Sequence, residues 1–368
     1  MKKRIILLTI FISFVFTMFF SCKEMDDVYQ EYVVPGGKEY PGKPRDLVAY
    51  SGMNRIKLSW TRGNDPSITH ARVFWNYFTD SLELNITAEM DSLSCIIDNL
   101  EENNYSFVVR HYNKNGDVSL SSEVLGVVYG ENYASGLRNR VITSLEVNPL
   151  GQYFVKWGAP DVFNGVVGTE VKYVDTLHND RIEFITKDED LSVITTISNF
   201  QYRTLFVPDS LSVDTFYTDF QMNDRKALIL KDDWSVAGFS TQHNTSASNI
   251  VTNIIDGNSA TRWHTHLTNS SYPHFVTIDM GFAWNLSGFD VYRRDGDVRG
   301  CDTFQFMVSM DNSNWVDAGT YDFDRLIDGA QNYQLPAPVK GRFFKFIGLT
   351  GPENFMLIGE LSAYGTLY

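Results

Sequence analysis

DGNSATRWHTHLTNSSYPHFVTIDMG, residues Asp256 to Gly281, decides the reading of the last third of this chain. Asp256, Gly257, Asn258, Thr261 and Trp263 fall within eight residues, so hard oxygen donors crowd a tight turn beside a large aromatic anchor. From Tyr272 to Met280 apolar and polar side chains alternate, the pattern of a half-buried strand. An oxygen-rich turn that runs into a strand can hold a calcium ion. His264 and His266 follow the turn directly and are candidates to face a ligand.

This stretch resembles the discoidin (coagulation factor 5/8 C-type) family, and in particular its bacterial branch of galactose-binding carbohydrate modules. Trp263-His264-Thr265, Tyr272-Pro273-His274 and Ile278-Asp279-Met280-Gly281 stand where those modules carry similar steps. The resemblance runs from about Trp234 to Gly365. It takes in the strand Ser287 to Arg294, the hairpin Phe304 to Trp315, the alternating Arg342 to Ile347, and the closing Ile358 to Gly365. It implies a jelly-roll β-sandwich with a structural calcium. Asp256 and Glu360 would give carboxylate oxygens, Thr261 its hydroxyl and carbonyl, and Asn253 and Asn258 backbone carbonyls, close to the ligand number calcium prefers. It also implies a sugar site in which His264 bonds an axial hydroxyl and Arg294 its neighbours, since a fixed imidazole and a planar guanidinium fork suit a vicinal diol. The family's stacking tryptophan is Leu267 here, and Phe355 is expected to supply the platform instead. The glycan, galactose-type or other, stays open.

Met1 to Ser21 reads as a signal peptide: Lys2, Lys3 and Arg4, then an apolar run from Ile5 to Phe20 that is short for a span of about twenty residues. Cys22 follows at once, as at a bacterial lipoprotein site, and Lys23-Glu24-Met25-Asp26-Asp27 resembles the surface-export signal of Bacteroidota lipoproteins. The expectation is lipidation of Cys22, a tether over 22–40, and display on the outer membrane.

Charge narrows the partners. The chain has 31 basic and 45 acidic residues. Losing Lys2, Lys3 and Arg4 with the leader leaves 28 against 45, a formal charge of −17. Such a surface repels phosphate backbones, so nucleic acid is not an expected partner. Hydrophobic residues at 43% suffice for packed cores. Cys95 and Cys301 lie in different expected domains and read as buried free thiols.

Between anchor and C-terminal domain the chain repeats itself. Trp60 in Arg55 to Trp60 recurs as Trp157 in Gln152 to Trp157, and Tyr105 recurs as Tyr202, each 97 positions on. In sandwich domains an early-strand Trp packs in the core and a later Tyr pins a corner. The strands are short, alternating and separated by Gly, Asn and Asp turns. The expected fold is all-β: 1–21 signal peptide, 22–40 tether, 41–130 and 131–224 as fibronectin type III-like sandwiches, and 225–368 as the discoidin-like domain. The paired repeats also resemble an uncharacterised domain family of Bacteroidota surface lipoproteins. Trp60, Trp157, Trp234 and Trp315 are read as core anchors.

No catalytic residue is assigned. Carboxylates sit singly on turns, and no phosphate loop, paired-cysteine motif or nucleophile elbow occurs. His264-x-His266 lacks a third ligand nearby for zinc. The reading is a surface lipoprotein that captures polysaccharide beside neighbouring glycan-uptake proteins, with calcium as its structural cofactor. Protein docking without sugar binding, or an accessory role in a glycan-degrading system, is the alternative.

Overall fold

Alternation along Arg55–Thr61 buries Ile56, Leu58 and Trp60 and turns every second residue outward, as a two-residue period requires. The computed structural model describes residues 32–368 apart from 36, 88 and 269. The expected signal peptide, 1–21, and Cys22 lie outside them. The described chain is nearly all β and forms two compact units that divide between Tyr129 and Gly130.

In the first unit Arg45–Ser51, Arg55–Thr61 and Ser92–Asp98 form a three-stranded antiparallel sheet. A four-stranded sheet faces it, in the order Asp80–Asn85, Ile68–Trp75, Asn103–Asn113, Ser122–Val128. Ile56, Leu58 and Trp60 meet Val73, Phe107 and Val109 between them. Trp60 Nε1 donates to His111 Nε2 at 3.0 Å, and His111 Nδ1 lies 2.8 Å from the Gly42 carbonyl. The indole therefore fixes the histidine tautomer, leaving Nδ1–H to hold the segment Pro41-Gly42-Lys43-Pro44 that leads into the first strand. Tyr105 Oη donates to the Glu101 carbonyl at 3.0 Å, the corner contact expected of it.

The second unit opens with a similar division. Leu191–Thr195, Gln152–Trp157 and Ile142–Val147 pair in that order, opposite Asp180–Thr186, Val166–Val174, Gln201–Phe206 and the short strand Phe216–Tyr217. Trp157 packs edge-on against Tyr202 at 5.6 Å and donates to Ser192 Oγ at 2.8 Å. The expected boundary near residue 224 is bridged. Leu228–Ile229 pairs parallel with Ile142–Val147 and antiparallel with Glu360–Leu367, so one sheet runs from this sandwich into the C-terminal domain.

That domain is a jelly roll. The 20-residue strand His274–Arg293 pairs with the 22-residue strand Gly329–Thr350, with register breaks between Asp279 and Trp284 and between Leu286 and Gly288. These breaks let one strand bend from sheet to sheet. Gly281, at φ 77°, sits in the first. Trp263, Trp284, Phe289, Phe304, Phe306, Phe344 and Phe346 fill the core. Trp234 joins it, whereas Trp315 is half-buried with the Lys345 ammonium 4.2 Å from its ring centre. Cys95 and Cys301 are both free and buried.

Because Ile229 is fully buried in a core that runs from Ile142 to Ala363, its truncation loosens both halves of the second unit together. Ile229→Ala is expected to destabilise by roughly 2–5 kcal/mol, moving the urea transitions of the second sandwich and the C-terminal domain in parallel. A shift confined to one transition would show that the shared sheet does not couple them.

Candidate functional site

The site hangs on a two-residue ladder. Trp263 pairs with Ile358 and His264 with Leu357, while the Trp263 indole donates to the Thr241 carbonyl at 2.9 Å. His264 is 5% exposed. Its Nδ1 lies 2.5 Å from the Thr265 carbonyl, so Nδ1 carries the proton and Nε2 keeps a lone pair. Burial above all, with His243, Arg299 and Arg262 adding to it, holds the imidazole below the usual histidine pKa. His264 is a neutral acceptor.

Phe355 lies nearly parallel to His264, 5.0 Å between ring centres and 21° between planes, with the Arg299 guanidinium 5.8 Å from its own centre. The two residues expected to share the sugar site do meet. The ring face turned to His264 is taken, however, so Phe355 walls the site rather than standing bare as a platform. Leu267, at the place of the family's tryptophan, is 40% exposed.

Arg294 reaches the cluster through other charges. Its Nη1 donates to Asp297 Oδ2 at 3.0 Å, and Arg299 grips the same carboxylate twice, at 2.9 and 2.7 Å. Arg299 holds the buried Asp297 carboxyl far below the ordinary carboxylate range. Arg262 feels both Arg294 and Arg299. Arg262, Arg299, Asp297 and His243 were not singled out from the sequence. Arg299 and Asp297 stand within five residues of Arg294, which was the available signal. His243 meets His264 only through tertiary packing, at 5.2 Å between rings. His266 packs edge-on against His243, and no three His, Cys, Asp or Glu among the described residues cluster for a metal.

At the other end of the ladder lie the residues expected to bind calcium. Asp256 Oδ1 accepts from Asn258 N at 2.8 Å, and Thr261 Oγ1 lies 2.7 Å from Asp256 Oδ2 and 2.8 Å from the Asn258 carbonyl. A hydroxyl has one proton for those two acceptors. Gly257, at φ 77°, lets the turn close, and its N–H donates to Glu360 Oε1 at 3.2 Å. Lys231 Nζ also pairs with Glu360 Oε1, while Oε2 is buried with no partner. Burial raises the Glu360 pKa, with Lys231 opposing it. Asn253 spends both of its amide N–H donors on the Ala247 and Arg262 carbonyls, at 2.9 and 3.3 Å. Glu360 Oε2, buried without a donor on the residue that the turn's Gly257 holds, is an oxygen that fits a hard cation, with Lys231 competing at the other carboxylate oxygen.

Residues 237–361 match the F5/8 type C domain. A sialidase from Micromonospora viridifaciens is 26% identical over 85 residues, which is 22% of this chain and 13% of the sialidase's length. Among solved structures, the C-terminal domain of a chitobiase from Bacteroides fragilis is 25% identical, with TM-score 0.36, covering 38% of this chain and 99% of that one. The family 32 carbohydrate-binding module of Clostridium perfringens NanJ, in complex with galactose, is 17% identical, with TM-score 0.34, covering 38% of this chain and 99% of that one. Residues 22–216 match DUF4998, a domain of unknown function. The chain belongs to that family and carries an F5/8 type C, discoidin-like domain at its C-terminal end.

Proposed function

We propose that this is a non-catalytic glycan-binding lipoprotein of the outer-membrane surface. Its F5/8 type C domain takes a galactose-type sugar, a structural calcium ties the Asp256 turn to the last strand, and two fibronectin type III-like sandwiches act as a spacer. One observation carries the sugar reading: His264, its Nδ1 locked on Thr265, aims an unprotonated Nε2 beside Phe355 and a guanidinium cluster. A hydroxyl that donates to Nε2 and accepts from an arginine completes both groups. Asp297, held ionised by Arg299 and Arg294, is unsuited to donate a proton, which supports binding over hydrolysis. The division of three strands against four in the first sandwich supports the spacer reading.

A monosaccharide of about twelve heavy atoms, at roughly −0.3 to −0.5 kcal/mol each, binds with about −4 to −6 kcal/mol. That is a dissociation constant from about a millimolar to tens of micromolar. His264→Ala and Arg294→Ala are each expected to cost roughly 1–3 kcal/mol in titrations with galactose-type and other sugars. Affinity stays level through neutral pH and falls only below about pH 6.5, because the depressed pKa of His264 delays protonation of Nε2. Binding that survives both changes would place the site elsewhere. No binding to any sugar would leave protein docking as the function of the domain.

Calcium at the turn stabilises the folded state by mass action, about 2.7 kcal/mol at a hundredfold excess over its dissociation constant. In the chain lacking its leader, a chelator is expected to lower the melting temperature, and Asp256→Ala to remove that sensitivity. Identical melts with and without chelator would mean that the Lys231 ammonium alone balances Glu360.

The anchor rests on Cys22. In a bacterial host, Cys22→Ser is expected to move the exported protein from the membrane pellet to the soluble fraction. An unmutated protein already soluble after export would remove the lipoprotein reading.

A further inference from the structure

A second feature lies in the first unit, inside the part of the chain that matches the domain of unknown function. Between Ile68–Trp75 and Asp80–Asn85 the chain turns through Asn76, Tyr77 and Phe78, at φ 47°, 54° and 68°. Three successive left-handed residues, none of them glycine, form an unfavourable turn that persists only where its surroundings enforce it. Here they do. Asn76 Nδ2 donates to Asp80 Oδ2 at 2.7 Å, and the Thr79 hydroxyl and amide donate to the Asn76 carbonyl at 2.6 and 3.1 Å.

The turn throws the Tyr77 ring wholly into solvent, at 101% relative exposure, while Phe78 packs on Phe74 at 5.2 Å and under the Arg110 guanidinium at 5.4 Å. A simple hairpin would need no such geometry to close. Behind the ring the outer face of the four-stranded sheet forms a cleft of about 630 Å³, within the range of ligand sites. Its floor carries Asn103, Asn104, Ser106 and Glu123.

We infer that this cleft is a second ligand site and that it binds a neutral polysaccharide chain, with Tyr77 as its stacking platform. A bare aromatic ring suits the apolar face of a pyranose. Amides both donate and accept, matching hydroxyls that do the same. Among the cleft-lining residues Glu123 is the one charged group, and it is engaged by the Ser106 hydroxyl. A chain of formal charge −14 repels acidic polymers besides. A protein partner would favour a continuous apolar patch, whereas Asn103, Asn104, Ser106, Ser121 and Glu123 supply much of the lining here.

The test uses the whole chain lacking its leader, in affinity electrophoresis through gels holding galactan, mannan, β-glucan or, as the acidic comparison, polygalacturonate. The His264→Ala/Arg294→Ala double variant silences the C-terminal site. It is expected still to be retarded by at least one neutral polymer. Adding Tyr77→Ala weakens that retardation about tenfold, whereas Tyr77→Phe, which keeps the ring, leaves it within about threefold. Because Tyr77 is fully exposed, adding Tyr77→Ala or Tyr77→Phe is expected to leave the melting temperature of the double variant unchanged. If the double variant passes every neutral gel unretarded while the unmutated chain is held, the second site is overturned and the C-terminal reading stands. Retardation unchanged by Tyr77→Ala, or confined to polygalacturonate, overturns it as well. Retardation of the unmutated chain that only Tyr77→Ala abolishes would overturn the C-terminal site and leave this one.

Discussion

Two backbone pairs, Trp263 with Ile358 and His264 with Leu357, set the geometry of the C-terminal site. They join segments 95 residues apart and are too short to persist as an isolated ladder. Trp263, fully buried, clamps the ladder into the core. The residues flanking the ladder then follow by chain continuity. The Asp256–Thr261 turn enters one strand, Phe355 enters the other, and Glu360 leaves it two residues later. The residues proposed to face sugar and those proposed to face a cation are thus the two ends of one clamp.

This explains why calcium would act as structure rather than chemistry. Charge gathered at Glu360 and Asp256 resists folding, because Glu360 is buried and its Oε2 lacks a donor. Lys231 offsets part of that penalty, but burial lowers its own pKa and weakens its claim to the proton. A divalent ion offsets the charge without that competition, and by holding Glu360 to the turn it also holds the ladder that carries His264.

What the sequence disclosed divides by distance along the chain. The turn was legible because its bonds span two to five residues: Asp256 to Asn258, Asp256 to Thr261, Asn258 to Thr261. The sandwich cores were legible because Arg55–Thr61 and Gln152–Trp157 alternate with a period of two. Lys231 meeting Glu360 across 129 residues was not. Nor was the orientation of Phe355, because position along a chain says nothing of which ring face a neighbour will cover. The 97-residue repeat foretold matching Trp–Tyr pairs, yet Tyr105 reaches a carbonyl while Tyr202 packs on Trp157. Spacing fixes which residue returns and leaves its neighbours to packing. Tyr77 escaped notice because left-handed backbone leaves no mark on non-glycine residues.

In the proposed sugar site Asp297 would serve binding without touching ligand. A guanidinium free to roam would lose side-chain entropy on meeting a sugar. Asp297 takes that freedom beforehand, and Arg299, bound to it twice, prevents it from turning away. Arg294 spends one N–H of five on this contact, so its fork keeps donors for a diol. The burial of Asp297 is tolerable only because two arginines neutralise it. The fold therefore carries an excess of guanidinium here, and that excess is what would leave Arg294 donors for the proposed ligand.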